Sequence, residues 1–569
     1  MPAPALTGFV PANLDATRWP MIEPLVRALL ERPVSSGGDL ERWLHDRSEL
    51  DAACSEARAD LYIAMTCKTD DQGASGAWTR YIEQTDPMLK PAAFELDKRQ
   101  AALGGEHPLD RDRYAVIERD TVADVELFRQ ENVPLETELA KLDQEYDAVA
   151  GAMTVEFDGK ERTLPEMARF TEETDRGVRE RAWRAVAARR LLDRDSIDGV
   201  FDKMIALRAQ VAVNAGFGDY VGYAYRAKHR FDYGPAQCEA FHDAIERAVV
   251  PLVRTIDAQR AGALGVGALR PWDLGVDVKG RAPLRPFAGG AELFEKTRRV
   301  FDRVDPELGS MFATLGAGGQ LDLDSRKGKA PGGYQYMRDR SRKPFIFMNA
   351  AGLHGDVRTM VHEAGHAFHS LLCEDEPLLH YRHSPIEFAE VASMTMELLT
   401  MPEWDEYYPD QADADRARRD QLEGVVLLLP WIATIDAFQH WLYRNPGHSR
   451  EQRTAHWGAL MERFGRGVSW EGLEQERAAL WQRQGHLFGS PFYYVEYGIA
   501  QLGALQLWLM SLERGRPAAI EAYKRALSLG GSRPLPELFG AAGIEFDFSA
   551  SIVERLMGAV GSALDGLPG

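Results

Sequence analysis

The stretch 356 to 372 constrains the fold more than any other, because it can only be a helix with two unlike faces. Met360, Val361, Ala364, Ala367, Phe368, Leu371 and Leu372 form one apolar stripe for burial. Thr359, His362, His366, His369 and Cys373 form another. Asp356, following Gly355, is the expected N-cap. Within this helix His362-Glu363-Ala364-Gly365-His366 is an H-E-x-x-H motif. Its i, i+4 spacing puts two imidazoles one turn apart, able to share one ion, and places Glu363 where it can take a proton from a water. One face anchors such a helix in a core and the other faces the ion.

A catalytic zinc takes three protein ligands and keeps one position open for water. A metzincin would need Gly at 369 and His at 372, where this chain has His369 and Leu372, so the third ligand comes from elsewhere. A second helix is expected from Ser384-Pro385-Ile386-Glu387, which has the form of a capping box with proline at the first helical position. That assigns Glu387 to the Ser384 amide. Glu390 and Glu397 lie seven apart on a helix that is otherwise apolar or small, and a carboxylate in that setting requires a partner. Glu390, 24 residues beyond His366, is the expected third ligand. Glu397 is expected either to orient a ligand histidine from behind or to make a polar contact in the core. His369 is expected behind the ligands or in a purely structural role, and Cys373 as a buried thiol.

The rest of the chain is patterned mainly as helix. Long amphipathic helices are expected over about 39–68 (with Asp39 as N-cap), 76–104 and 114–150, then over 174–216 and 235–263. Asp158-Gly159 between two β-prone runs predicts a hairpin over 154–164. A Gly- and Pro-rich loop follows at 264–290, and 318–350 reads as loop and strand, with a turn at 329–334 and a strand at 344–348. At 569 residues, two or more subdomains are expected. The formal net charge of −20 argues against nucleic acid and against an anionic membrane surface as partners. The segment from Met1 to Val10 has no signal-peptide pattern, and no run of about twenty apolar residues predicts a membrane span, so the cytoplasm is the expected location. Cys54, Cys67, Cys238 and Cys373 form no CxxC pair, which argues against a disulfide framework and against a cysteine-type zinc site.

His362-Glu-Ala-Gly-His-Ala-Phe-His369, then Phe388-Ala-Glu-Val-Ala-Ser393 and Glu397, resemble the family of thimet oligopeptidase, neurolysin and oligoendopeptidase F, most closely the oligoendopeptidase F branch. Thr154-Val-Glu-Phe-Asp-Gly159 and Lys329-Ala-Pro-Gly-Gly-Tyr334 extend the likeness over most of the chain from about residue 110. The resemblance implies a mainly α, two-lobed body with a deep substrate channel, one Zn²⁺ at its floor, and a small β-sheet near the metal. It implies an N-terminal helical lobe over 1–200 with the hairpin near 154–164, a catalytic lobe over 201–569, and short peptides as substrates. The donor-rich segment from His486 to Tyr497 matches the family's His…Tyr…Tyr region, whose groups stabilise the tetrahedral intermediate and hold the substrate. By that likeness His486, Tyr494 and Tyr497 join Glu363 as catalytic groups, and Tyr493 can exchange with Tyr494. Gly332, Gly333, Tyr334 and Tyr493 are the expected substrate contacts, the glycines letting a backbone approach and the 344–348 strand pairing with an extended peptide. The expected function is a zinc-dependent endopeptidase acting on short peptides. A carboxydipeptidase of similar build and a non-catalytic, zinc-containing peptide-binding protein are the rivals, and the intact Glu363 counts against the second.

Overall fold

Helix boundaries follow from local chemistry. The computed structural model describes residues 8–330 and 332–568, so residues 1–7 of the N-terminal segment and Pro331 of the 329–334 turn lie outside the described residues. Asp158 and Gly159 both have positive φ (51° and 72°), the twist that a two-residue hairpin needs. Thr154–Phe157 (β1) and Lys160–Thr163 (β2) accordingly pair antiparallel. The stretch expected as one helix over 76–104 is two, Gln72–Gln84 and Asp86–Glu106, because Pro87 starts a helix better than it continues one. The stretch 114–150 divides likewise into Arg111–Leu127 and Asn132–Gly151, with Phe128 extended between them. Between Pro235–Ala244 and Val250–Leu264 one wide π turn, Ile245–Val249, accommodates Pro251, which lacks the N–H an ordinary helical turn would use. Asp39 is not the N-cap of Gly37–Cys67. Ser36 is, and Asp39 reaches back to the Ser35 N–H and the two serine hydroxyls.

Two apolar cores divide the chain into lobes. The first gathers residues from Val10 to Ile117, Trp43 and Leu96 among them, and also takes Leu378 and Tyr381. The second runs from Leu142 to Leu564. Apart from Leu378 and Tyr381, the first core ends at Ile117, and the second begins at Leu142. Tyr146 stacks on Phe488 at 3.8 Å and donates to the Gln482 carbonyl, which binds helix Asn132–Gly151 into the second lobe. The hairpin keeps a small core of its own around Phe157 and Phe170. Between the lobes lies a cleft of about 620 Å³, bordered by Asp51, Asp120, His229, His380, Glu387 and Glu496.

A second sheet lies beside the helix that carries the H-E-x-x-H motif. Its order is Leu321–Asp324 (β3), Lys343–Ala350 (β5), Tyr334–Arg338 (β4), with β5 central, parallel to β3 and antiparallel to β4. One face rests on helix Gly37–Cys67 of the first lobe, where the Tyr62 ring lies 5.5 and 5.8 Å from Tyr334 and Tyr336. Arg338 pairs with Asp60 at 2.6 Å, and two backbone hydrogen bonds of 2.8 Å, Thr69 N–H to Gly328 O and Ala330 N–H to Thr66 O, complete the seam. Among the described residues one helix, Gln411–Arg444, is long and apolar enough by length and composition to cross a membrane, although Asp436 and His440 interrupt its apolar stretch. Of its most apolar window, 67% is buried in the fold, where it packs against Pro235–Ala244 and Tyr494–Arg514.

Candidate metal centre

The metal-site helix is His354–Leu372, starting two residues before the expected cap. Leu353 is the N-cap, and Asp356 reaches back from the first turn to accept from the Ala351 and Leu353 N–H groups at 2.8 and 2.9 Å. Met360, Val361, Ala364, Ala367 and Phe368 are fully buried, as the apolar stripe requires. The neighbouring helix, Ile386–Leu399, crosses this one at Gly365. A Cβ at Gly365 would sit 2.6 Å from both the Ala392 carbonyl oxygen and the Ser393 Cα, so only glycine permits the approach. The close crossing is what brings Glu390 opposite the histidines.

Glu390 Oε2 lies 3.3 Å from His362 Nε2 and 3.6 Å from His366 Nε2, and one donor atom from each residue falls within 4.8 Å of the others. Two imidazole nitrogens and a carboxylate oxygen so arranged are the donor set that a catalytic zinc takes. His362 Nδ1 bonds Glu397 Oε1 at 2.7 Å, and Gln421 Nε2 donates to the other Glu397 oxygen at 2.9 Å. Ser393 Oγ donates to Glu390 Oε2 at 2.9 Å. Burial works against charge on His362, yet the flanking Glu390 and Glu397 hold its pKa well above the usual histidine value. His366, pushed down to about 4 mainly by burial, stays neutral. Burial also opposes ionisation of Glu390, but the hydrogen bonds from His362 and Ser393 and the charges of the two histidines together outweigh it and hold that carboxyl at about 2. An imidazole held between two carboxylates marks a place that favours positive charge, which a dication fits. Glu363 is 7% exposed, and burial pushes its carboxyl up to about 7, partly offset by His362 and by the Gln335 N–H of β4. That puts it in the range suited to moving a proton near neutral pH.

The other expected residues fall into place unevenly. Glu387 makes no capping box. Pro385 is the N-cap with no side-chain cap, and buried Glu387 accepts from Tyr233 Oη at 2.6 Å with Arg230 Nε at 3.8 Å. Tyr334 turns away from the metal ligands, its ring stacked on Phe347 and its hydroxyl 2.6 Å from Thr66 Oγ1, while its neighbour Gln335 reaches Ser370 on the metal-site helix. The 344–348 strand cannot take up a peptide, since β5 already has a strand on each side and the sheet's edges are β3 and β4. Gly332 needs its positive φ of 95°, and a Cβ on Gly333 would lie 3.1 Å from the Thr359 methyl, so both glycines have packing reasons beside any substrate role. His369 is buried, its Nε2 without a partner, and burial presses its pKa down to about 3.

His486 and the three tyrosines cluster, with ring centroids 5.1 to 6.2 Å from the imidazole. Tyr493 and Tyr497 bond each other and both feel the charge of Glu390, which adds to burial in raising their hydroxyl pKa values. Tyr494 is instead hydrogen-bonded to Trp431 and Gln484. Gln484 Nε2 also lies 2.8 Å from His486 Nδ1. Sequence reading missed Gln421, Gln484 and Ser393. Only Ser393 left a signal, a hydroxyl one turn beyond Glu390 in an apolar helix. The interlobe cleft reaches Glu387 and Glu496, neighbours of Glu390 and Tyr497, without being lined by His362, His366 or Glu390.

The model of peptidase family M3 matches residues 169–284 and 299–558, more than half of the chain. Among curated proteins the chain is similar to oligopeptidase PepF of Bacillus subtilis (strain 168), 24% identical over 310 residues, covering 52% of this chain and 44% of that one. It is also similar to the chromosomal oligoendopeptidase F of Lactococcus lactis subsp. cremoris, 28% identical over 24% of this chain and 20% of the relative. These matches span less than half the length of the curated relatives. Solved structures agree over nearly the whole chain. One oligoendopeptidase F superposes with a TM-score of 0.88 at 26% identity, covering 98% of this chain and 99% of that one. PZ peptidase A, solved with an inhibitor, gives 0.86 at 25% identity and 96% of each chain.

Proposed function

Because the chain belongs to peptidase family M3, we propose that it is a zinc-dependent oligopeptidase that hydrolyses internal bonds of short peptides. The observation that carries this reading is the convergence of His362, His366 and Glu390 with a buried carboxyl, Glu363, on the same helix turn. His362, His366 and Glu390 would hold one Zn²⁺, which supplies a Lewis acid that polarises a carbonyl and acidifies water. Glu363 takes the proton of the attacking water and returns it to the leaving amine. Glu397, braced by Gln421, keeps His362 in the orientation that presents Nε2 to the metal. Tyr497 and Tyr493 donate to the oxygen that becomes negative in the transition state, with His486 beside them, and Tyr494 supports the cluster from behind. The edge of β4 at Gln335, next to Glu363, offers backbone groups to an extended peptide. The relatives' names support oligopeptides as the substrate class, and the interlobe cleft supports an upper limit on substrate size.

The test is a series of quenched-fluorescent peptides of increasing length, digested with and without chelator. Hydrolysis of the short members should vanish on chelation and return with added Zn²⁺, while unfolded casein stays intact. Full activity in protein shown to be metal-free, or efficient digestion of casein, overturns the reading.

A further inference from the structure

A second set of metal-binding groups lies away from the H-E-x-x-H helix. Helix Pro235–Ala244 carries Cys238 and His242 one turn apart, and the facing helix Gln411–Arg444 carries Asp436 and His440 at the same spacing. The two helices pack together, and all four side chains are at most 4% exposed. One donor atom each from Cys238, Asp436 and His440 lies within 4.8 Å of the others. His242 Nε2 bonds Asp436 Oδ2 at 2.8 Å, and His440 Nε2 lies 3.4 Å from the same oxygen. Tyr225 Oη closes the group from the side, 2.9 Å from Cys238 Sγ and 3.2 Å from His440 Nε2.

Two features distinguish this cluster from an ordinary buried ion pair. Asp436 is completely buried, the side chains within ion-pair distance of it among the described residues are His242 and His440, and its Oδ1 has no hydrogen-bond partner. His440 Nδ1 is likewise buried without one. Leaving a carboxylate oxygen buried and unpaired costs free energy, and a cation bound to Asp436 would offset it. The donors, one thiol sulfur, one carboxylate oxygen and imidazole nitrogen on two packed helices, are all ligand types that Zn²⁺ accepts.

We infer that Cys238, Asp436 and His440 form a second, buried site for a Zn²⁺-class divalent cation, with His242 bonded to Asp436 and within reach as a fourth ligand. On binding, the Cys238 thiol loses its proton to solvent and the sulfur becomes a thiolate ligand. The role is mechanical. The His440 ring lies 5.3 Å from that of Phe492, whose backbone N–H donates to Gln439 Oε1 and whose φ of +63° is held in the left-handed region immediately before Tyr493. A cation joining the two helices braces the segment that presents Tyr493 and Tyr497.

Because the site is sealed, it fills as the chain folds, so the protein is expressed in zinc-depleted medium supplied with Co²⁺. The H-E-x-x-H centre offers no sulfur, so thiolate-to-cobalt charge-transfer absorption in the near ultraviolet reports the second site alone. The expected result is a second cobalt per chain in the wild type together with that absorption. The absorption persists in His366→Ala, which empties the first site, and is lost in Cys238→Ser. Wild-type protein without the absorption, or absorption that survives in Cys238→Ser, overturns the inference, whatever becomes of peptidase activity.

Discussion

Gly365→Ala isolates the crossing of the two ligand helices. The new methyl would stand 2.6 Å from the Ala392 carbonyl oxygen and from the Ser393 Cα, whereas ordinary contact begins at 3.4 Å. Both obstacles are backbone, so no side chain can rotate out of the way, and the helices must separate by roughly the difference, ~0.8 Å. Metal–ligand distances tolerate only about ±0.2 Å. Glu390 rides on the displaced helix, so the third ligand leaves the coordination range while both histidines stay in place. Overpacking of this kind costs about 1–3 kcal/mol of stability, which a fold of this size survives. The expected variant is folded by circular dichroism, binds zinc far more weakly in a chelator competition, and regains part of its activity at high zinc. A folded Gly365→Ala with wild-type zinc affinity would show that the crossing does not set the position of Glu390.

Three further substitutions separate the remaining roles. Glu363→Gln should keep stoichiometric zinc and lose nearly all turnover, and retained turnover would remove Glu363 as the base. Glu397→Gln should weaken zinc binding by about 10–100-fold, because it alters the partner that orients His362, and excess zinc should restore much of the rate. Tyr497→Phe and Tyr493→Phe should each lower kcat with little change in KM, the first by about 10²–10³-fold as for a lost oxyanion donor. Tyr494→Phe should have a small effect, and a kcat loss confined to Tyr494→Phe would reverse the assignment.

The metal helix was legible because its information is local: two histidines one turn apart and an apolar stripe on another face need no knowledge of the rest of the chain. Glu390 was legible for a different reason, since a carboxylate among Phe388, Val391 and Ala392 must have a partner. The same local reasoning misassigned Glu387. Ser-Pro-Ile-Glu has the form of a cap, but the partner that claims the carboxylate, Tyr233, lies 154 residues away in sequence. Alternation along β4 puts Tyr334 and Gln335 on opposite faces, and nothing in the pattern says which face meets the metal helix. Gln421 orients a ligand from a helix whose apolar pattern predicts only burial. The Cys238 group was invisible because its two i, i+4 pairs meet across nearly two hundred residues, where no CxxC spacing could announce them.

The seam between helix Gly37–Cys67 and β4 has a mechanical consequence. It joins the lobes by backbone bonds and tilted ring contacts beside β4, whereas across the cleft they meet through part-exposed ion pairs, His229–Asp124 at 2.7 Å, Arg226–Glu126 at 2.6 Å and Arg119–Asp232 at 3.9 Å. Exposed pairs contribute little and weaken as salt rises. The two margins therefore yield unequally under load, like a door whose latch is charged and whose pivot is greasy and knotted. If the gap widens with the seam intact, the first lobe turns about an axis close to Glu363, where displacement is smallest. The edge strand and Glu363 then keep their spacing while the far rim moves, and added salt loosens the ion-paired rim more than the seam, where Arg338–Asp60 is one bond among several.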